Sequence, residues 1–136
     1  MRIGIDFDNT LASYQNVFAE VAQLLELIEP SWQGSKSELR TLLRARENGD
    51  RKWKQLQGLV YGKYIDRAKL FPGVANFLLR LKQRCWPVVI VSHKTEFGHY
   101  DPDRVPLRQA ALDWMKNNRF FGTYGLGLQQ KNIHFA

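Results

Sequence analysis

Residues 86–92, Trp-Pro-Val-Val-Ile-Val-Ser, form an unbroken apolar and β-branched run, and no other stretch restricts the fold as tightly. The run is too short for an ordinary helix and far too short to cross a bilayer, which needs about 20 apolar residues. Polar residues do not alternate within it, so it predicts a strand covered on both faces, as in a parallel sheet. Parallel neighbours cannot be joined by a tight turn; each needs a crossover, usually a helix. The chain therefore has to supply further strands separated by helices. Arg2 to Asp8 supplies one, with Ile3, Ile5 and Phe7 on one side under a period of two. Asn132-Ile133-His134-Phe135 predicts a third. At 136 residues, the expectation is a single α/β chain with right-handed crossovers.

Helical spacing fills the intervals. Residues 12–28 place Tyr14, Val17, Phe18, Val21, Leu24 or Leu25, and Ile28 on one stripe, broken by Pro30 and Gly34. Ser35, followed three residues later by Glu38, predicts a capping box opening a helix with Leu39, Leu42 and Leu43 inward. Asn48-Gly49-Asp50 predicts a turn, and a third helix then buries Trp53, Leu56, Val60 and Tyr64. Beyond Leu70-Phe71-Pro72-Gly73 a helix turns Val74, Phe77, Leu78 and Leu81 inward, and Leu107, Ala110, Ala111, Trp114 and Met115 mark another. The first crossover is unusually long because it contains three helices. Residues 13–69 thus read as a helical cap inserted after the first strand, with 1–12 and 70–136 forming the sheet-bearing core.

Charge is distributed unevenly between these parts. The chain carries a net +7, and residues 31–70 hold ten Lys/Arg against four acids. Such a balance points to an anionic partner gathered by the cap, against the plain alternative of solvated helix faces with local pairs such as Arg44 with Glu47. Nucleic acid is the competing partner, because the cations interleave with Trp32, Trp53, Tyr61 and Tyr64. Most of these aromatics fall on inner stripes that core packing needs, which argues against it. Cys85 is alone, so no internal disulfide can form, and with no signal-like or membrane-spanning stretch the expectation is a cytoplasmic protein.

Asp6 and Asp8 stand two residues apart at the carboxyl end of the first strand, where open α/β sheets bind ligands. Neighbouring carboxylates repel each other unless a hard cation or a proton relieves them. Held by Mg²⁺, one can stay ionised and attack a phosphoryl group while the other carries a proton as acid and then base. Asn9-Thr10 adds a turn, a hydroxyl and main-chain N–H groups suited to phosphate oxygens. The alternative is that the two acids merely end a strand and cap a helix. Ser92 ends the second strand at the same sheet edge, where its hydroxyl would meet a phosphate bound against Asp6. Lys94 follows in the same loop as a candidate phosphate-binding cation.

Asp6-Phe7-Asp8-Asn9-Thr10-Leu11 matches the DxDxT loop of the haloacid dehalogenase superfamily. Val88–Ser92 resembles its second motif, a hydrophobic strand closed by Ser or Thr, and Leu70-Phe71-Pro72-Gly73-Val74 resembles the Pro-Gly start of the helix before it. The resemblance covers about residues 1–12 and 70–136 and implies a Rossmann-like core with a variable cap at 13–69. It implies a Mg²⁺-dependent phosphomonoester hydrolase acting on a small anionic metabolite through an aspartyl-phosphate. Asp6 would be nucleophile and Mg²⁺ ligand; Asp8 would be general acid/base, its main-chain carbonyl also reaching the metal. Thr10 and Ser92 would hold the phosphate. Dehalogenating members lack the second acid, so Asp8 points to phosphoryl chemistry.

The superfamily's later motifs, a Lys and one or two metal-binding acids after the third strand, have no counterpart, because the sequence stops at Ala136. Asp101 and Asp103 lie in the wrong loop, and Lys131 lies at the wrong end of its strand. Lys94 is the candidate substitute for the Lys. The expectation is an amino-terminal part of a longer hydrolase, with the edge of the first strand covered by further chain, a partner or a second copy. A non-catalytic phospho-ligand-binding domain is the remaining alternative. His93 and His99 share the loop 93–105 with these acids, but their irregular spacing and the lack of a nearby Cys make a poor zinc pattern.

Overall fold

β1 (Ile3–Asp6) opens the chain and pairs in parallel with β4 (Val88–Ser92), which pairs in parallel with β5 (Ile133–Phe135). The computed structural model describes residues 2–136. Its architecture is α/β, a three-stranded parallel sheet ordered β1-β4-β5 with five helices.

The helices arise where the sequence spacing requires them, with adjusted ends. α1 covers Val17–Leu24 and buries Val17, Phe18 and Val21, while Tyr14 is buried just ahead of it. Leu24 and Leu25, expected on the inner stripe, are exposed, because the helix stops there and the chain turns through Glu26 at φ +58°. α2 (Lys36–Arg44) starts on the expected capping box. The Ser35 hydroxyl accepts from the Glu38 N–H at 3.1 Å, and the Glu38 carboxylate accepts from the Ser35 N–H at 3.1 Å. α3 (Gly49–Tyr61) begins inside the expected turn: Asn48 takes the left-handed conformation and Gly49 and Asp50 already belong to the helix. A short 3₁₀ turn at Ile65–Arg67 then leads back toward the sheet.

Two short strands tie off this helical segment. β2 (Ala12–Ser13) pairs antiparallel with β3 (Lys69–Leu70), matching Ala12 to Leu70 and Ser13 to Lys69. α4 (Val74–Gln83) follows, with Gly73 at its start in the left-handed conformation that an L side chain would strain to adopt. α5 (Leu107–Asn117) joins β4 to β5. One continuous core runs from the sheet through Phe7, Trp114, Phe18 and Trp53 into α1–α3. Phe18 stacks on Trp53 at 5.4 Å, and the buried Trp114 indole donates to the Ala68 carbonyl at 2.9 Å. α3 lies so close to the loop after β4 that Gly58 and Gly98 meet backbone to backbone; a Cβ on Gly98 would come within 2.6 Å of the Gly58 Cα.

The sheet is covered on one face only, which corrects the expectation for residues 86–92. Ile90 and Ser92 are buried, whereas Val91 is 46% exposed and Val89 half-buried. Topology explains this. The order β1-β4-β5 advances in one direction, and right-handed crossovers in one direction put α4 and α5 on the same side. Gly4, Val91 and His134 are accordingly exposed on the other side. Phe77, expected inward on α4, is exposed too and lies in a groove beside Ile5 at the free edge of β1. Among the described residues no helix is long and apolar enough to cross a membrane.

Candidate functional site

The loop after β1 is a tight knot of main-chain hydrogen bonds. The N–H groups of Thr10, Leu11 and Ala12 all donate to the Phe7 carbonyl, at 3.3, 2.9 and 3.2 Å, and Asn9 N–H donates to the Ala12 carbonyl at 2.9 Å. Asn9 adopts φ +63°, which lets the chain double back so sharply. The expectation that these N–H groups face a phosphate is therefore corrected: the loop spends them on closing itself. Thr10 is exposed and lines the groove with Ile5, Phe71 and Phe77, away from the cavity that Asp8 lines.

Asp6 and Asp8 sit in different surroundings. Asp6 is the last residue of β1, opposite Val91 in register, and is exposed; its Oδ1 accepts the Phe7 N–H at 2.8 Å. Asp8 turns inward. Its Oδ1 accepts from the Tyr14 hydroxyl at 2.5 Å, and its Oδ2 accepts from the Lys94 ammonium at 2.9 Å. Lys94 is only 5% exposed, and its Nζ lies 4.9 Å from the Tyr61 ring centre and 5.6 Å from that of Phe7. A dehydrated ammonium needs a counter-charge and is further favoured over aromatic faces. The structure thus gives Lys94 a definite partner, Asp8.

The same site perturbs both tyrosines. Burial, reinforced by the charge and hydrogen bond of Asp8, pushes the Tyr14 hydroxyl far above its ordinary range. Burial and the Asp8 charge push Tyr61 up to about 12, with a hydrogen bond to the Asn9 side chain working in the opposite direction. Both hydroxyls stay protonated at neutral pH and serve as neutral donors. The sequence offers Tyr61 only as an aromatic interleaved with the cations and Tyr14 as one more apolar-stripe position; neither reads there as a partner of Asp8, and only the place of Tyr14 six residues after it hints at more.

Ser92 completes the edge. It is 1% exposed, and its hydroxyl is the one buried side-chain polar atom without a hydrogen-bond partner among the described residues. Unpaired buried hydroxyls cost free energy and are uncommon.

The surrounding loop is mostly architectural. Asp101 is buried and accepts from the N–H groups of Asp103 and Val105, each at 3.0 Å, which shapes the path into α5. His93 and His99 line a cavity of about 270 Å³ with Asp8 and Lys94. Arg44, expected to pair with Glu47, pairs instead with Asp50 at 3.4 Å, which the first turn of α3 brings nearer.

Mg²⁺ takes hard oxygen ligands and is usually held by one or two carboxylates together with phosphate oxygens and water. Asp6 offers a carboxylate with no cationic partner among the described residues, while that of Asp8 is engaged by Lys94 and Tyr14. No three His, Cys, Asp or Glu side chains gather into a ligand group among the described residues. This donor set fits an ion shared with a phosphorylated substrate, and does not fit a closed protein cage. No family model matches the chain, and no curated protein matches it significantly.

Proposed function

We propose that this chain carries the phosphoryl-transfer site of a Rossmann-like, haloacid-dehalogenase-type phosphatase that hydrolyses a small anionic phosphomonoester. The observation that supports it most is the orphaned Ser92 hydroxyl at the same sheet edge as Asp6 and the Asp8–Lys94 pair. Three groups with those chemistries at one edge match what phosphoryl transfer needs: a nucleophile, a proton carrier and an oxygen-binding donor.

In this reading the Asp6 carboxylate attacks phosphorus, and the bond from phosphorus to the leaving oxygen breaks as that oxygen gains a proton from solvent. Water then attacks phosphorus, the bond to Asp6 breaks, and Asp8 takes the proton that water loses and returns it to solvent. Both oxygens of Asp8 accept hydrogen bonds. Tyr14 and Lys94 fix its orientation, and Ser92 donates to a phosphate oxygen. Mg²⁺, bound by Asp6, the Asp8 main-chain carbonyl and the phosphate, would neutralise charge on the transferring group. The helices of 13–69 form the cap over this edge.

Hydrolysis of an aryl phosphate tests the reading, measured with Mg²⁺, with EDTA and with Asp6→Asn. Activity lost with EDTA and with the variant is the expected result. Full activity in Asp6→Asn, or none in a folded wild-type sample, overturns it for this chain.

A further inference from the structure

A cavity of about 490 Å³ lies between the Asp6–Thr10 loop and helices α1 and α2, lined by Asn9, Tyr14, Phe18, Lys36 and Leu39 among others. Its volume falls within the range of small-molecule sites. Lys36 is the one charged side chain in its wall. Its ammonium sits 4.6 Å from the Phe18 ring centre and 3.4 Å from the Tyr61 hydroxyl, and neither carries a counter-charge. Arg40 stands one helical turn further along α2. Loss of water, and then the charge of Arg40, lowers the proton affinity of Lys36, with only Asp8 opposing.

Four other cations of the basic segment are matched, while Arg46, Arg51, Lys52 and Lys69 have no ion pair among the described residues and do not line this cavity. Arg44 and Lys54 pair with Asp50, Lys63 with Asp103, and Arg67 with Glu20. Lys36 and Arg40 have no carboxylate partner among the described residues, so the positive potential at this wall is left for a ligand to satisfy. Asn9, from the nucleophile loop itself, joins the cavity to the reacting edge, and Phe18 and Leu39 supply an apolar flank.

Resting on the phosphatase reading, we propose that this cavity takes the leaving group of the substrate, and that the leaving group has an apolar body and a second anionic group bound by Lys36 with support from Arg40. The substrate class is then a phosphomonoester with two separated negative groups. A charge-assisted contact on a partly dehydrated ammonium is sufficient for about a tenfold preference.

The test compares 4-carboxyphenyl phosphate with phenyl phosphate. Hydrolysis by the wild-type chain is measured with Mg²⁺, and binding of both esters to Asp6→Asn by calorimetry. The carboxylated ester is expected to have a kcat/KM, and to bind, at least about tenfold better, with Lys36→Gln bringing both ratios near one and Arg40→Gln reducing them. Equal hydrolysis and binding of the two esters overturns the inference and leaves the phosphatase reading standing. A preference that Lys36→Gln does not alter, or an equal loss on both esters, overturns it as well, because Lys36 would then serve the transferred phosphate or nothing. Binding preference without hydrolysis supports this subsite and overturns the phosphatase reading. No binding of either ester overturns both.

Discussion

Replacing Lys94 by Met removes the counter-charge of Asp8 while keeping most of the buried volume. The ammonium and carboxylate are 2.9 Å apart, with the Lys94 side chain 2% and that of Asp8 19% exposed. At an effective dielectric of about 20, charges at this separation attract by roughly 6 kcal/mol, and dehydration of both groups cancels much of that. Breaking a buried pair from one side usually costs about 3–5 kcal/mol. Here Asp8 keeps some water and the Tyr14 hydroxyl, so Lys94→Met should cost about 2–3 kcal/mol. Asp8→Asn leaves the ammonium dehydrated and should cost a similar amount. The double variant removes both charges, so it should cost clearly less than the sum of the single losses, a coupling of about 2 kcal/mol. Urea unfolding followed by tryptophan fluorescence measures all three, each single variant shifting the midpoint by about 1–2 M at a typical slope. Additive losses, with coupling below about 0.5 kcal/mol, would show that Lys94 and Asp8 do not form the dehydrated pair on which the site's geometry depends.

Two further outcomes follow from the same geometry. Ser92→Ala deletes a buried hydroxyl without a partner and should stabilise the fold by about 1 kcal/mol in urea while weakening phosphate-ester turnover. Loss of stability instead would mean that the hydroxyl has a structural role. Tyr61 keeps its proton up to about pH 12 when folded but loses it near 10 when unfolded, so its contribution to stability is fully present below pH 10 and is lost as the pH rises from 10 to 12. Ultraviolet titration near pH 11 should accordingly find Tyr14 and Tyr61 still neutral in the folded chain; ionisation of either around pH 10 would contradict that environment.

Much of the architecture is legible in local pattern, because three strand runs, the Ser35–Glu38 capping box and the apolar stripes of α2 and α3 are each specified within a few residues, although Tyr64, expected on the third helix, falls beyond its end and is half-buried. The exposed side of the sheet is not. Val91 reads as buried from its neighbours, and its exposure follows only from the strand order, which sends both flanking helices to one face. Leu24 and Phe77 fail for a related reason: amphipathic spacing shows that a face is apolar without showing that another element reaches it. At the candidate site, the sequence pattern puts Asp6 and Ser92 at strand ends, where the structure has them, while Asp8, expected at the end of the first strand, lies two residues beyond it. The pairing of Lys94 with Asp8 spans 86 positions and the contact of Lys36 with Tyr61 spans 25, separations at which sequence spacing carries no geometric information. The inward-turned N–H groups of residues 10–12 likewise depend on how tightly the chain doubles back after Phe7.

In the proposed reaction Asp6 forms a covalent bond to phosphorus. Rapid quenching during aryl phosphate turnover, followed by borohydride reduction and peptide mass mapping, tests it most directly. An acyl phosphate at Asp6 is reduced to homoserine at that one position, which is the predicted result. Turnover that leaves Asp6 as aspartate, or that places homoserine elsewhere, would contradict it.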